Sequence, residues 1–218
     1  MHDTRETLQQ LWLKHAKGIG IEKPTMPLLS QLVTAWSAPH RHYRSLRHLQ
    51  ECLQTLERWG KDAPARHEIG IALWFHDAVY DPQRDDNEDK SASWAVTALK
   101  EFGVPEDKRR RIGKLIRATM HVSPTVKARA ARVDGLDLML DIDLAILGAD
   151  RARFEDYERQ VRLEYAHVPD EAFARARADF VEVLLGVSPL YRSEIARAEL
   201  EARARENLLR SLRTWRPA

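Results

Sequence analysis

A single cysteine in 218 residues, Cys52, leaves no partner for an intrachain disulfide and fits a reducing compartment. Charge of either sign is not in excess: 35 basic against 33 acidic residues give a net charge of +2. That is too little to argue for a nucleic-acid partner, and the pI of 8.7 reflects arginines scattered over the C-terminal third. No apolar run approaches the ~18 residues of a membrane span, so no membrane role is expected. The opening "MHDTRETLQQ" is polar and lacks the apolar core of a signal peptide, which leads to the expectation of a cytoplasmic protein. No glycine-rich phosphate loop, internal repeat or Pro/Ser-rich linker is present, and nothing alternates with period two for long enough to build a sheet.

What is present is helical periodicity. Asp3 and Glu6 have capping-box spacing ahead of Leu8, Leu11 and Trp12. A second helix is expected over 27–36. Tyr43, Leu46, Leu49, Leu53, Leu56 and Trp59 then recur at three- and four-residue steps, with Gly60 at the expected C′ position. An apolar helix over 64–80, the polar segment "DPQRDDNEDK", and a helix carrying Ala92 to Phe102 and stopped by Gly103 follow. Pro105 is suited to a first turn, ahead of Ile112, Leu115, Ile116 and Met120. "LDLMLDIDLAILG" is apolar but interrupted by acids, and three more helices are expected over 151–166, 170–185 and 193–212. The chain is therefore expected to be all-α: one domain of about nine or ten helices, with a core over about 27–166. The helices of 167–218 would pack on that core or on a second copy in a homodimer.

Three of the apolar helices carry acids or histidines: His48 in "HYRSLRHL", the adjacent His76 and Asp77 in "ALWFHDAVYD", and Asp141 and Asp143 in "DIDL". Burying an ionised carboxylate is costly unless it is paired, hydrogen-bonded or metal-bound. Adjacent helical residues point about 100° apart, so His76 and Asp77 can both reach an ion lying between them. Mixed imidazole and carboxylate ligands suit a divalent transition metal, or magnesium where carboxylate and water dominate. The competing reading of His76 and Asp77 is a buried structural ion pair. Asp141 and Asp143 also read as helix caps or a solvated edge. Cys52 reads as a small apolar residue of its helix, and His2, His15, His67 and His167 as surface residues.

The order of motifs resembles the HD superfamily of metal-dependent phosphohydrolases, whose pattern is a His, then His-Asp, then a distal Asp. The nearer likeness is to a subgroup of predicted HD hydrolases with "RHYH…H", "ALWFHDxVYD", "NEExSA", "DxDLAILG" and "Y…R.EY". This chain reads "RHYRSLRH", "ALWFHDAVYD", "NEDKSA", "DIDLAILG" and "YERQVRLEY", so the resemblance covers about residues 40–165. It implies one divalent metal (Mn, Co, Ni, Fe, Zn or Mg) on His48, His76, Asp77 and Asp143, with Asp141 as alternative ligand or support. It also implies hydrolysis of a phosphate ester or anhydride of a small metabolite, such as a nucleotide, with Asp77 and Glu88 in the chemistry. Glu88 would act as general acid or base, the competing reading being a favourable acid in a helix's first turn. Arg41, Arg44 and Lys90 are candidates to stabilise phosphoryl charge. Asn87, Ser91 and His121 are candidate substrate contacts, His121 reading equally as a helix-end residue. One departure stands out: Arg44 replaces the subgroup's second histidine. Arginine does not ligate metals but binds phosphate in a bidentate manner. On a helix it would share a face with His48. Arg162, Glu164 and Tyr165 read either as pocket lining or, preferably, as a salt-bridged face under the C-terminal helices. The rival functions are a non-catalytic binding module, a di-iron oxygenase with His121 as extra ligand, and a cyclic-nucleotide phosphodiesterase.

Overall fold

The computed structural model describes residues 2–120 and 133–216, which form ten α-helices and one 3₁₀ turn, with no strand among the described residues. In chain order these are α1 (His2–Gly18), α2 (Met26–Trp36), α3 (Leu46–Trp59), α4 (Arg66–Phe75) and α5 (Asn87–Glu101). Next come α6 (Glu106–Arg117), α7 (Leu136–Asp143), the 3₁₀ turn (Leu144–Gly148), α8 (Arg151–Glu164), α9 (Asp170–Leu185) and α10 (Glu194–Trp215). None of these helices is long and apolar enough to cross a membrane.

The central helix is α4. Every residue of α4 from Ile69 to Phe75 is buried, because α1, α3, α5 and α6 all pack against it. A helix apolar all round has no face to give to water. Each large side chain withdrawn this way contributes about 1.5–3 kcal/mol. Trp74 meets Trp12 edge-on at 5.4 Å between ring centroids, and the indole N–H of Trp36 donates to the Trp74 carbonyl at 2.9 Å. One cluster of buried apolar residues runs from Leu8 in α1 to Leu208 in α10.

Several boundaries differ from the sequence expectation. Helix α1 starts at His2, so Asp3 stands inside it and not at its N-cap. Helix α4 stops at Phe75, five residues short of Tyr80, with no glycine or proline to stop it. His76 takes the C-cap position, and the Ala78 N–H turns back to the Phe75 carbonyl at 2.9 Å. Gly60 caps α3 at φ −95°, whereas Gly103 behind α5 has φ +77°, the left-handed conformation in which glycine is favoured. Arg44 lies in the turn ahead of α3 and not on the helix itself. Cys52 is buried on α3. His15 is not a surface residue: Leu8, Trp12 and His15 make one buried stripe of α1, continued by Ile19 just past its end. His67 is half-buried beside it, and His167 is exposed.

Candidate metal centre

Three helix segments deliver the site. Helix α3 carries His48, the end of α4 carries His76 followed in the turn by Asp77, and the last residue of α7 is Asp143; all four are buried. Aromatic packing fixes the imidazoles. The His48 ring lies 4.6 Å from that of Tyr43, and the His76 ring 5.4 Å from that of Trp36. His76 Nδ1 stands 2.8 Å from the Leu73 carbonyl. A carbonyl only accepts, so Nδ1 carries the hydrogen and Nε2 faces the other site residues. The same bond satisfies a carbonyl that the helix end would otherwise orphan. Ending α4 early therefore aims the ligand.

His76 Nε2 lies 3.4 Å from His48 Nε2 and 3.4 Å from Asp143 Oδ1, and His48 Nε2 lies 3.4 Å from that same oxygen. His48, His76 and Asp143 form a group whose ligand atoms all lie within 4.8 Å of one another. Two ligands held about 2.1 Å from one ion at a tetrahedral angle stand about 3.4 Å apart, so this spacing fits a bound ion. Two imidazoles and a carboxylate suit a divalent transition metal better than magnesium. Burial disfavours the His76 imidazolium, but the Asp77 charge and the hydrogen bond and charge of Asp143 outweigh it and hold its pKa up at about 9. Two anions directed at one imidazole are a preformed cation site.

Asp77 Oδ2 also stands 3.4 Å from His76 Nε2, but Arg44 Nε takes the same oxygen at 3.2 Å. Burial would raise the Asp77 pKa; the charges of His76 and Arg44 reverse that and keep it below the usual carboxylate value. Arg44 in turn is held by Glu164 Oε2 and the Tyr80 hydroxyl, both at 3.2 Å from Nη1. Glu164 is almost fully buried. Its Oε1 accepts from the backbone N–H groups of His42, Tyr43 and Arg44 at 2.8–3.0 Å, and its Oε2 accepts from the Tyr80 hydroxyl at 2.9 Å. Glu164 thus clamps the turn that presents Arg44. It is salt-bridged, as the preferred sequence reading has it, but to Arg44 in the turn before α3, and it does not line the cavity beside the cluster. Phe154, Tyr157, Val161 and Glu164 are all buried on α8, so the periodicity of that helix places the acid inside.

Other sequence candidates stand elsewhere. Asp141 points away from the cluster. It accepts from the Arg192 and Ser193 N–H groups and the Ser193 hydroxyl at 2.6–3.1 Å, tying α7 to the start of α10. Arg41 is buried and donates to the carbonyls of Arg44, Asp77 and Ala78 at 2.7–3.0 Å, so it holds the turn after α4 and is not among the residues lining the cavity beside the cluster. Asn87 bonds the Asp81 N–H and the Asp81 and Arg84 carbonyls, and Ser91 bonds the Val79 backbone; both brace the loop instead of lining the site. Lys90 is exposed and pairs with Asp86 at 3.2 Å. Arg162 binds the Tyr165 and Val168 carbonyls and Asp170, shaping the turn between α8 and α9. His121 lies outside the described residues. Glu88, half-buried, does reach the site: it shares with Arg44, His48, Asp77 and Asp143 the lining of a cavity of about 420 Å³. Tyr165 lines the same cavity.

The chain is thus an all-helical protein with a buried His/His/Asp group able to hold a metal ion, opening onto a cavity. A scan against protein-family models, a search of curated proteins and a search of solved structures each find no match to it.

Proposed function

We propose that this chain is a metal-dependent phosphohydrolase of the HD type, acting on a phosphate ester or anhydride of a small metabolite. The observation that supports it most is the 3.4 Å triangle of His48, His76 and Asp143 beside a cavity that also holds Arg44 and Glu88. A divalent ion bound there would supply Lewis acidity and a nucleophile at neutral pH. The protein's own groups would do the rest. Arg44, braced by Asp77 and Glu164, offers guanidinium N–H groups to phosphoryl oxygens as negative charge gathers on them. That assigns to arginine a phosphate-binding task in place of the histidine that the HD subgroup carries there. Asp77, kept ionised by His76 and Arg44, orients the nucleophile. Glu88, on the cavity wall, gives or takes the proton.

The Arg44–Asp77 pair also favours a second reading, a ligand-binding module without turnover, because it withdraws Asp77 from the ligand set. Phosphate release separates the two. Chelator-treated protein reloaded with Mn²⁺, Co²⁺, Ni²⁺, Fe²⁺, Zn²⁺ or Mg²⁺ is assayed on a panel of phosphomonoesters, anhydrides and cyclic nucleotides. Turnover that needs a metal and disappears in Asp143→Asn supports the hydrolase. Absence of turnover with every metal, while phosphorylated ligands still bind, overturns it in favour of the module.

A further inference from the structure

The cavity has two kinds of wall. Its charged residues, Arg44, His48, Asp77, Glu88 and Asp143, come from the segment ahead of α3, from α3 to α5, and from the end of α7. Everything contributed after Asp143 is apolar or aromatic with one exception. The 3₁₀ turn gives Leu144, Ile146 and Leu147; α8 gives Tyr157 and Val161; the turn behind it gives Tyr165 and Val168; and α9 gives Phe173, Ala176 and Phe180 on one face. The exception, Arg177, is already spent. Its guanidinium bonds Glu158 at 2.6 Å and lies 5.0 Å from the centroids of both the Tyr157 and Phe180 rings. Thr119 is likewise committed, donating to the Ile116 carbonyl at 2.7 Å.

We infer that this site takes a phosphomonoester whose alcohol portion is apolar, an alkyl or aryl group lying against α8 and α9, and not a sugar or nucleobase. The inference rests on the hydrolase reading for its reaction and on the wall for its substrate class. A sugar or base carries several donors and acceptors, and each one buried without a partner costs free energy. On this wall Arg177 is already bonded to Glu158 and to the Tyr157 hydroxyl, so the wall's polar groups come down to tyrosine hydroxyls on otherwise apolar rings. An alkyl or aryl group loses nothing there and gains from leaving water. At about 420 Å³ the cavity falls within the usual range for small-molecule sites. In the reaction a water oxygen bonds to phosphorus, the phosphorus–oxygen bond to the alcohol breaks, and the released oxygen takes a proton, leaving alcohol and inorganic phosphate.

The test compares methyl, butyl and octyl phosphate, phenyl phosphate and glycerol phosphate on the metal-loaded protein. In parallel, calorimetry measures binding of methyl-, butyl- and octylphosphonate, which are not hydrolysed. The expected kcat/KM rises by roughly fourfold per methylene buried, with glycerol phosphate at the bottom. Phosphonate affinity follows the same order. Ala176→Glu places a carboxylate on this wall at an exposed position, so the protein keeps its melting temperature but loses most of the octyl advantage. Equal or better turnover of glycerol phosphate overturns the inference and leaves the hydrolase standing. No turnover of any ester, with octylphosphonate still bound more tightly than methylphosphonate, removes the hydrolase and upholds the apolar wall. No turnover together with no chain-length dependence of binding removes both.

Discussion

The molecule holds two histidine pairs, one fully buried and one half-buried, and they are opposites. His48 and His76 meet Asp143, with Asp77 beside them, and His76 is pushed up to a pKa of about 9. His15 and His67 sit 5.5 Å apart between α1 and the start of α4, and His15 is pushed down to about 4. Burial lowers both imidazoles; the neighbours decide the outcome. In the first group two carboxylates face the same imidazole. In the second a single carboxylate, Glu57, is taken by Lys14 and by Arg66 at 2.6 Å, and reaches His15 Nε2 only at 3.6 Å. Among the described residues neither His15 ring nitrogen has a hydrogen-bond partner, and the ring stands against Gly70, where a Cβ would come within 2.4 Å of it. A buried histidine is therefore not a site in itself. A second histidine and carboxylates directed at the same point make it one.

The supporting carboxylates carry the same contrast and the largest expected effect. Glu164→Gln removes the charge that meets three backbone N–H groups and Arg44, and unfolding free energy should fall by about 3–5 kcal/mol. Glu57→Gln, at a partly exposed pair, should cost no more than about 1 kcal/mol. Urea melts of the two variants decide this, and similar losses would erase the distinction.

The acid limb of stability sharpens it next. The folded pKa of His15 lies below its unfolded value, near 6.5, so protonation favours unfolding. Its contribution is complete above pH 6.5 and is lost as pH falls towards about 4, amounting to roughly 3 kcal/mol. In His15→Leu that part of the acid loss should vanish while metal binding is untouched. An unchanged slope between pH 6.5 and 4 would contradict it.

How far the sequence alone reached differs between local and distant features. Helical period located all ten helices, and the acids and histidines on apolar faces pointed to His48, His76, Asp77, Asp141 and Asp143, of which the structure groups His48, His76 and Asp143. The end of α4 was not legible, because no glycine or proline marks it; the stop is made by the Arg41 guanidinium on the Asp77 and Ala78 carbonyls, across 36 and 37 residues. Arg41 itself looked like a free cation for the same reason. Glu164 was missed although it falls on the buried stripe of α8, since its partners in the turn before α3 lie about 120 residues away. Asp141 and Asp143 are alike in sequence, and only the approach of Arg192 and Ser193 separates them.

The smallest effect is expected at Lys90. Its pairing with Asp86 is exposed, so Lys90→Ala should change stability by less than about 0.5 kcal/mol and leave turnover within twofold. A drop of tenfold or more in kcat/KM would return Lys90 to the site.

The central claim is that His48, His76 and Asp143 hold a metal ion and that His15 and His67 do not. Calorimetric titration of Zn²⁺ or Mn²⁺ into chelator-treated parent, Asp143→Ala and His15→Gln proteins, each with its fold checked by circular dichroism, tests it directly. The account predicts one ion per chain for the parent and for His15→Gln, and an affinity loss above about 100-fold in Asp143→Ala, more than losing a ligand's hydrogen-bond partner produces. No binding to the folded parent, or equal binding by Asp143→Ala, would contradict it.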